Sequence, residues 1–152
     1  GAFSRVIEKL YQDGHYGKKT GKGFYLYTGK NPVPDYAYLH SVLTGLQGGK
    51  SPEGDLTSVE IRDRLLLMIL NEAALCLEEN IVQKPGEVDL AMVMGTGFPP
   101  FRCGPLAYAD YKGVKNVVEQ LKFYSERLGQ RFTPAPLLVD MAQKNQKFYP
   151  LF

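Results

Sequence analysis

The chain has 152 residues, 44% of them apolar, and a net charge of +2. This length suits one compact domain, or one domain with an appendage, that buries its own core without metals or disulfide bonds. The small net charge gives no support for a nucleic-acid or anionic-membrane partner, and the longest apolar run, Leu65 to Leu70, is too short to cross a bilayer.

The chain before residue 57 is predicted to alternate short helices with glycine-rich segments. Apolar residues at helical spacing predict an amphipathic helix from Phe3 to Tyr11, and the aromatic run Phe24 to Tyr27 predicts extended backbone. Gly29 to Asp35 is expected to be a linker. A second amphipathic helix follows from Asp35 or Tyr36 to Leu46, and Gly48 to Gly54 is the expected flexible join.

A long helix from Thr57 to Ile81 is the element around which we expect the fold to be organised. Thr57 and Glu60 have the T-x-x-E spacing of a capping box, which marks its start. Two apolar stripes run along it, and two stripes together predict burial nearly all round. The first stripe is Ile61, Leu65, Met68, Ile69 and Cys76, and the second is Leu66, Leu70, Ala73, Ala74, Leu77 and Ile81.

The rest of the chain predicts four shorter helices and a packed tail. The first is Glu87 to Met94, with Glu87 and Asp89 favoured by the helix dipole in its first turn. Gly95 to Pro105 is rich in proline and glycine and is expected to be a loop. The next two predicted helices run from Pro105 to about Lys112 and from Val114 to Leu128, where Gly129 ends the helix. The last predicted helix begins at Thr133-Pro134 and buries Leu137, Leu138 and Met141. The tail, Phe148 to Phe152, is expected to pack back onto a helix. Since strands are nearly absent, the predicted class is all-α.

Two glycine-containing segments resemble nucleotide-binding loops but lack the required spacing. Within residues 14–23, no pair of glycines leaves the four residues that a P-loop needs before its Gly-Lys pair. We therefore expect a structural turn, with Lys18, Lys19 and Lys22 as weak candidates for anion binding. Gly95-x-Gly97 lacks the third glycine of a dinucleotide fingerprint, because Pro100 takes its place.

The titratable residues form no recognisable catalytic or metal-binding set. His15 and His40 lack partners at metal-ligand spacing and are expected on the surface. Glu72 is expected to be a buried carboxylate that caps a loop, whereas Glu78 and Glu79 are expected to form a solvated face. Cys76 and Cys103 are expected to be reduced thiols in a reducing compartment. We therefore predict no catalytic residue, no metal site and no cofactor-binding residue.

Several motifs, in order, resemble the C-terminal helical modules of 3-hydroxyacyl-CoA dehydrogenases. Gly17 to Tyr25 is similar to the close of the first module, and the second module is matched by an ordered set of motifs from residue 64 to residue 138. These are Arg64-Leu65-Leu66, Asn71-Glu72-Ala73, Pro85 to Asp89, Gly95 to Pro100, Gly104-Pro105, Asp110, Arg131 to Pro134, and Pro136 to Leu138. Two modules in tandem resemble the multifunctional α-subunit of fatty-acid β-oxidation.

The resemblance implies a helical bundle of the 6-phosphogluconate-dehydrogenase C-terminal-like type with one long central helix. It implies three parts: residues 1–30 as the tail of a preceding module, 31–56 as helix and linker, and 57–152 as the second module. Residues 1–27, having lost the rest of their module, are expected to dock on the second one. The opening Gly1-Ala2 suggests a piece of a longer chain, and no signal peptide is visible.

The resemblance also implies that the chemistry lies elsewhere. The family's His–Glu pair and NAD-binding fingerprint belong to a Rossmann domain. The implied partners are that Rossmann domain and a hydratase domain of the same longer chain, with 3-hydroxyacyl-CoA as the substrate of the full enzyme. The first module supplies a substrate-contacting Asn in an Asn-Arg context, and the matching position here is Asp63, before Arg64. A carboxylate there would repel the negative charge that forms on a thioester oxygen.

Two hypotheses follow from these observations. The first is a structural and interface module of an NAD-dependent 3-hydroxyacyl-CoA dehydrogenase, inactive in isolation. The second is an independent acyl-CoA or protein binding module that uses Lys18, Lys19 and Lys22 for phosphates. The implied location is the cytoplasm if the source is bacterial, and otherwise a mitochondrial or peroxisomal matrix.

Overall fold

A computed structural model describes residues 2–46 and 56–150, with the side chains of residues 2–4 left out. The chain divides into two compact units, 1–55 and 56–152, which are described separately below. The described residues are mostly helical, which confirms the all-α class; the finer fold type and the three-part division into modules stay predictions. The elements are α1 (Ala2–Gln12), β1 (Tyr25–Leu26), β2 (Val33–Pro34), α2 (Tyr36–Leu46), α3 (Ser58–Glu78), α4 (Pro85–Thr96), α5 (Pro105–Lys112), α6 (Val114–Leu128) and α7 (Pro136–Gln143), with short 3₁₀ helices at Lys18–Thr20, Pro100–Arg102 and Gln130–Phe132.

The first unit is a helix pair with a small hairpin. Val6 and Leu10 of α1 pack with Val42 of α2. The strands β1 and β2 pair antiparallel, so the predicted linker from Gly29 to Asp35 contains a strand. The predicted helix α2 is confirmed, with Val42 buried and Leu46 packed against the same cluster, but its first residue, Tyr36, is 76% exposed. The predicted join at 48–54 lies outside the described residues.

His15 lies beside a polar cluster centred on Asp13 and is half-buried, which corrects its prediction as a surface residue. Its ring stacks on Tyr38 with the centroids 3.8 Å apart. The Tyr38 hydroxyl donates to Asp13 over 2.8 Å, and Asp13 also accepts from Lys9 over 2.7 Å. Burial, with the Asp13 carboxylate beside it, raises the pKa of Tyr38 to about 12. The Lys9 ammonium, followed by the Tyr38 hydroxyl, holds the pKa of Asp13 below its usual value.

The second unit begins with the predicted capping box of α3. The Glu60 amide donates to the Thr57 hydroxyl oxygen over 3.2 Å, and the Thr57 amide donates to the Glu60 carboxylate over 3.0 Å. The helix ends at Glu78 rather than at Ile81, because Asn80 takes a left-handed conformation with φ 58°. Asparagine tolerates this conformation, and the Ile81 amide then turns back to the Cys76 carbonyl.

The predicted burial of α3 on nearly all sides is wrong. Its inner face carries the buried residues Leu67, Leu70, Asn71, Ala73 and Ala74. Ile61, Leu65 and Met68 of the first stripe are 46%, 60% and 41% exposed, respectively. The reason is that, within the second unit, the later helices pack on one side of α3.

The core of the second unit lies between α3 and helices α5, α6 and α7. Its residues come from every helix of the unit, and four leucines and valines from α5, α6 and α7 are fully buried: Leu106, Val117, Leu121 and Leu138. The predicted bounds of α5 and α6 are confirmed. No helix in the described part of the chain is long and apolar enough to cross a bilayer.

Two helix starts differ from the prediction. Helix α4 begins earlier, at Pro85, and reaches Thr96, so the predicted loop is shorter and includes a 3₁₀ turn. Helix α7 begins at Pro136, not Pro134. Proline suits either place, but Thr133 follows a 3₁₀ turn anchored by the buried Phe132, which delays the helix by two residues.

Candidate functional site

Asp89 is the most connected buried acid described in the second unit, and its connections are structural. It is 2% exposed on α4 and accepts from the amides of Leu106 and Ala107, at 2.7 and 3.0 Å, in the first turn of α5. The Tyr149 hydroxyl donates to the same carboxylate over 2.8 Å. The prediction that Asp89 serves the dipole of its own helix therefore missed its main role, which is to cap α5.

Gly104 makes this arrangement possible. Its φ is +117°, and a Cβ atom built there would lie 2.3 Å from the Cβ of Asp89. Cys103 before it has a left-handed φ of 62° and an exposed side chain. The close approach of loop and helix thus depends on Gly104, which matches a motif glycine of the resemblance.

Asp110 of α5 binds the start of the tail through backbone hydrogen bonds. Its carboxylate accepts from the amides of Phe148 and Tyr149 at 3.0 and 2.8 Å, which confirms the packing of the tail onto a helix for these residues; residues 151 and 152 of the predicted tail lie outside the described part of the chain. Burial, followed by the hydrogen bond to Asp89, raises the pKa of Tyr149 above its usual value.

The loop-capping role predicted for Glu72 belongs to its neighbour Asn71. Glu72 is exposed, whereas Asn71 is 6% exposed and makes two side-chain hydrogen bonds to the loop before α7. Its amide nitrogen donates to the Thr133 carbonyl over 2.9 Å, and its oxygen accepts from the Ala135 amide over 2.8 Å. Glu78 was predicted to be part of a solvated face. It is exposed, but its carboxylate also accepts a hydrogen bond from a backbone amide of α7 over 3.0 Å.

A groove lies along the exposed stripe of α3, entirely within the second unit. We call it the α3–α5 groove; its volume is about 880 Å³. Its walls are the start of α3, the loop after α4, and one face of α5, and the buried Phe98 is among its lining residues. The groove is lined by Ser58, Ile61, Arg62, Leu65, Leu66, Phe98, Pro99, Phe101, Arg102, Tyr108 and Tyr111.

The groove is cationic and aromatic. The Arg102 guanidinium lies over the rings of Phe101, Tyr108 and Tyr111, at 5.5, 4.9 and 5.6 Å from their centroids. In the described part of the chain, Arg102 makes no salt bridge. The lining includes two arginines and no carboxylate, histidine or cysteine, so it holds no acid–base or nucleophile pair.

Asp63, the acid at the position of the family's Asn, is engaged by two cations. Its carboxylate lies 3.5 Å from Arg62 and 3.8 Å from Lys112. Asp63 is not among the lining residues of the groove. Sequence reasoning missed the groove and Arg102; the signal available was an arginine directly after Phe101, with Tyr108 and Tyr111 shortly after it in the sequence.

The predicted anion candidates lie in the first unit. Lys18, Lys19 and Lys22 are all exposed around the turn that Gly17 and Lys22 close with a 2.8 Å backbone hydrogen bond. Their role in anion binding stays a prediction. His40 is exposed as predicted, and among the described residues no group of three or more His, Cys, Asp or Glu is placed to hold a metal ion.

The described residues do not fit a nicotinamide dinucleotide in the usual way. Their only sheet consists of two antiparallel two-residue strands, whereas dinucleotides bind at the edge of a parallel doubly wound sheet. That this chain itself binds no NAD stays a prediction.

Comparison with known proteins gives consistent matches. Residues 61–148 match the family described as 3-hydroxyacyl-CoA dehydrogenase, C-terminal domain. The chain is 41% identical over 147 residues to the fatty acid oxidation complex subunit alpha of Shewanella loihica, and 39% identical over 144 residues to that of Vibrio vulnificus. Each alignment covers 95% of this chain and 20% of the relative, so the chain spans about a fifth of the length of these relatives.

A solved structure shows the same fold. The crystal structure of FadB2 from M. tuberculosis superimposes with a TM-score of 0.56 at 22% sequence identity, covering 79% of this chain and 45% of that one. Because the family match covers more than half of the residues, the chain belongs to the 3-hydroxyacyl-CoA dehydrogenase C-terminal domain family.

Proposed function

We propose that the chain is the C-terminal helical part of an NAD-dependent 3-hydroxyacyl-CoA dehydrogenase of fatty-acid β-oxidation, and that it provides packing and a domain or subunit interface rather than chemistry. The observation that carries this proposal is the α3–α5 groove, whose lining is apolar, aromatic and cationic and contains no carboxylate, histidine or cysteine. Interfaces are enriched in aromatic residues and arginine, whereas a dehydrogenase site needs a general base.

The proposal includes the rest of a longer enzyme. Its partners are a Rossmann domain that uses NAD and a hydratase domain of the same polypeptide, and the substrate of the whole enzyme is 3-hydroxyacyl-CoA. The proposed division is a preceding-module tail at 1–30, a helix and linker at 31–56, and a second module at 57–152. The proposed location is the cytoplasm for a bacterial source, and otherwise a mitochondrial or peroxisomal matrix.

The experiment compares the isolated chain with a chimera. In the chimera, this chain replaces the matching C-terminal fifth of the Shewanella loihica subunit. We expect the isolated chain to form no NADH from 3-hydroxyacyl-CoA and NAD, and the chimera to retain a dehydrogenase rate that a truncated subunit loses. NADH formation by the isolated chain, or a chimera no better than the truncated subunit, would contradict the proposal.

Calorimetry with CoA tests the alternative, an independent acyl-CoA binding module. We expect no saturable heat from the isolated chain. The alternative requires binding that is lost when two lysines of the turn, Lys18 and Lys19, become glutamine together with Lys22, and that survives the replacement of the two exposed lysines of α6, Lys115 and Lys122.

A further inference from the structure

We infer that residues 144–150, which we call the tail strap, open and close as one unit with the first turn of α5 and the loop before it, while α3, α6 and α7 stay folded. The inference goes beyond the proposed function and does not depend on it. In the closed form, Asp110 holds the backbone of the strap and Asp89 holds the hydroxyl of Tyr149.

The tail strap buries little apolar surface. Phe148 is its one half-buried residue, and the other six residues of the strap are exposed. A cavity of about 370 Å³ separates part of the strap from α5, and its lining includes Lys147, Tyr149 and Ala107. Segments with few buried apolar contacts and exposed hydrogen bonds open at the lowest free energies in a folded protein. The strap should therefore open well before the helices that form the core.

The strap leaves α7 at a turn that can act as its hinge. Asn145 has a left-handed φ of 52°, and the Gln146 amide donates back to the Met141 carbonyl over 2.8 Å. Hinges are commonly a few residues at the end of an element that absorb the change in backbone angles. Rotation beyond this turn moves the strap and leaves α7, whose Met141 is 6% exposed, in the core.

One oxygen of Asp89 couples the strap to α5. Oδ2 accepts from both the Tyr149 hydroxyl, at 2.8 Å, and the Ala107 amide, at 3.0 Å, while Oδ1 accepts from the Leu106 amide at 2.7 Å. When the strap opens, a carboxylate that is 2% exposed loses one donor and must take water in its place. That water competes with the two amides for the same carboxylate, so opening of the strap weakens the cap of α5.

The loop before α5 belongs to the same unit because Gly104 lies against Asp89. A Cβ atom at Gly104 would lie 2.3 Å from the Cβ of Asp89, and the Gly104 carbonyl accepts from the Tyr108 amide over 3.0 Å. Phe101 and Arg102 come shortly before this contact and line the α3–α5 groove. The state of the strap therefore determines how firmly this part of the groove is held.

The test is amide hydrogen exchange followed by NMR on the full 152-residue chain, at increasing urea concentrations below the unfolding midpoint. The four amides bound by Asp89 and Asp110 should share one opening free energy with a weak dependence on urea: those of Leu106, Ala107, Phe148 and Tyr149. The amide of the buried Leu121 on α6 should exchange at least about tenfold more slowly and with the strong urea dependence of global unfolding.

Variants of Asp110 test the coupling, because they weaken the strap and leave Asp89 with its three donors. In Asp110→Ala, Leu106 and Ala107 should exchange at least about tenfold faster, since one hydrogen bond to a charged group is worth about that factor. Reduced helix propensity cannot produce this change, because alanine is the best helix former. Asp110→Asn is the milder variant and should accelerate both amides less. The matched control is Asp140→Ala, an exposed acid of α7, which should leave both rates unchanged.

Three results would overturn the inference. Rates at Leu106 and Ala107 that stay the same in both Asp110 variants would mean that α5 opens independently of the strap. Wild-type exchange at the four amides with the urea dependence of Leu121 would mean that the strap opens only when the whole unit unfolds. An equal acceleration in Asp140→Ala would mean that the effect of Asp110 is not specific to the strap.

Discussion

Replacing Asp89 by alanine should be among the most damaging single changes in the second unit. The carboxylate is 2% exposed and serves three donors: the amides of Leu106 and Ala107 and the hydroxyl of Tyr149. Hydrogen bonds to a charged group contribute about 1.5 kcal/mol each at the lower end of their range, and all three of these bonds are accepted by the carboxylate. Losing all three therefore costs about 4.5 kcal/mol, and the first amides of α5 are then left without acceptors.

The assay is urea unfolding followed by circular dichroism, with amide hydrogen exchange at Leu106 and Ala107 as a local readout. Tyr149→Phe removes one of the three bonds to the carboxylate and should cost about 1.5 kcal/mol. The matched control is Asp140→Ala, which removes an exposed acid paired to Lys144 at 2.8 Å and should cost at most about 0.5 kcal/mol.

The reasoning would be refuted by an Asp89→Ala variant whose unfolding midpoint matches that of Asp140→Ala. A Tyr149→Phe loss as large as the Asp89→Ala loss would also contradict it, since the two amide bonds would then contribute nothing. Exchange at Leu106 should accelerate in Asp89→Ala even at temperatures where the rest of the unit stays folded.

Leu70→Ala should lower the free energy of unfolding by about 2–5 kcal/mol, whereas Leu65→Ala should change it by less than about 1 kcal/mol, because Leu70 is fully buried and Leu65 is 60% exposed. Equal losses in denaturant unfolding would mean that α3 is buried on both sides. Stability should also fall as the pH rises from about 10 towards 12, since the Tyr38 pKa is raised to about 12 in the folded chain and the unfolded chain loses this proton first. This contribution is complete below pH about 10, and Tyr38→Phe should remove it; an alkaline slope unchanged in that variant would exclude Tyr38 as its source.

The start of α3 was predicted correctly from residues close together in the sequence, whereas the side of α3 that is buried was not. The Thr57–Glu60 capping box depends on side chains three residues apart, so the sequence alone locates it. Which stripe faces the core was not predictable, since Leu65 and Leu70 are equally apolar and only the positions of other helices distinguish them. The same limit explains why Glu72 was assigned the role of Asn71: successive residues on a helix differ by about 100° in direction.

Contacts between distant residues were the other source of error. Asp89 and Gly104 both carried visible signals, an acid near a helix start and a glycine before a proline, but their mutual contact follows from how α4 and α5 meet. The groove with Arg102 likewise joins segments about forty residues apart, which periodicity within a single helix does not relate.

The hydrogen bonds of Asp89, Asp110 and Asn71 also bear on the order in which the second unit is completed during synthesis. Tyr149 closes on Asp89 across 60 residues, and Ala135 closes on Asn71 across 64. A chain emerging from the ribosome exposes α3 and α4 first, and they present Asn71 and Asp89 before either partner exists. Until residue 149 has left the ribosome, these polar side chains must stay hydrated, and this hydration keeps the early helices from burying their inner faces. The unit should therefore acquire its tertiary structure in one late step, when its last aromatic residues become available.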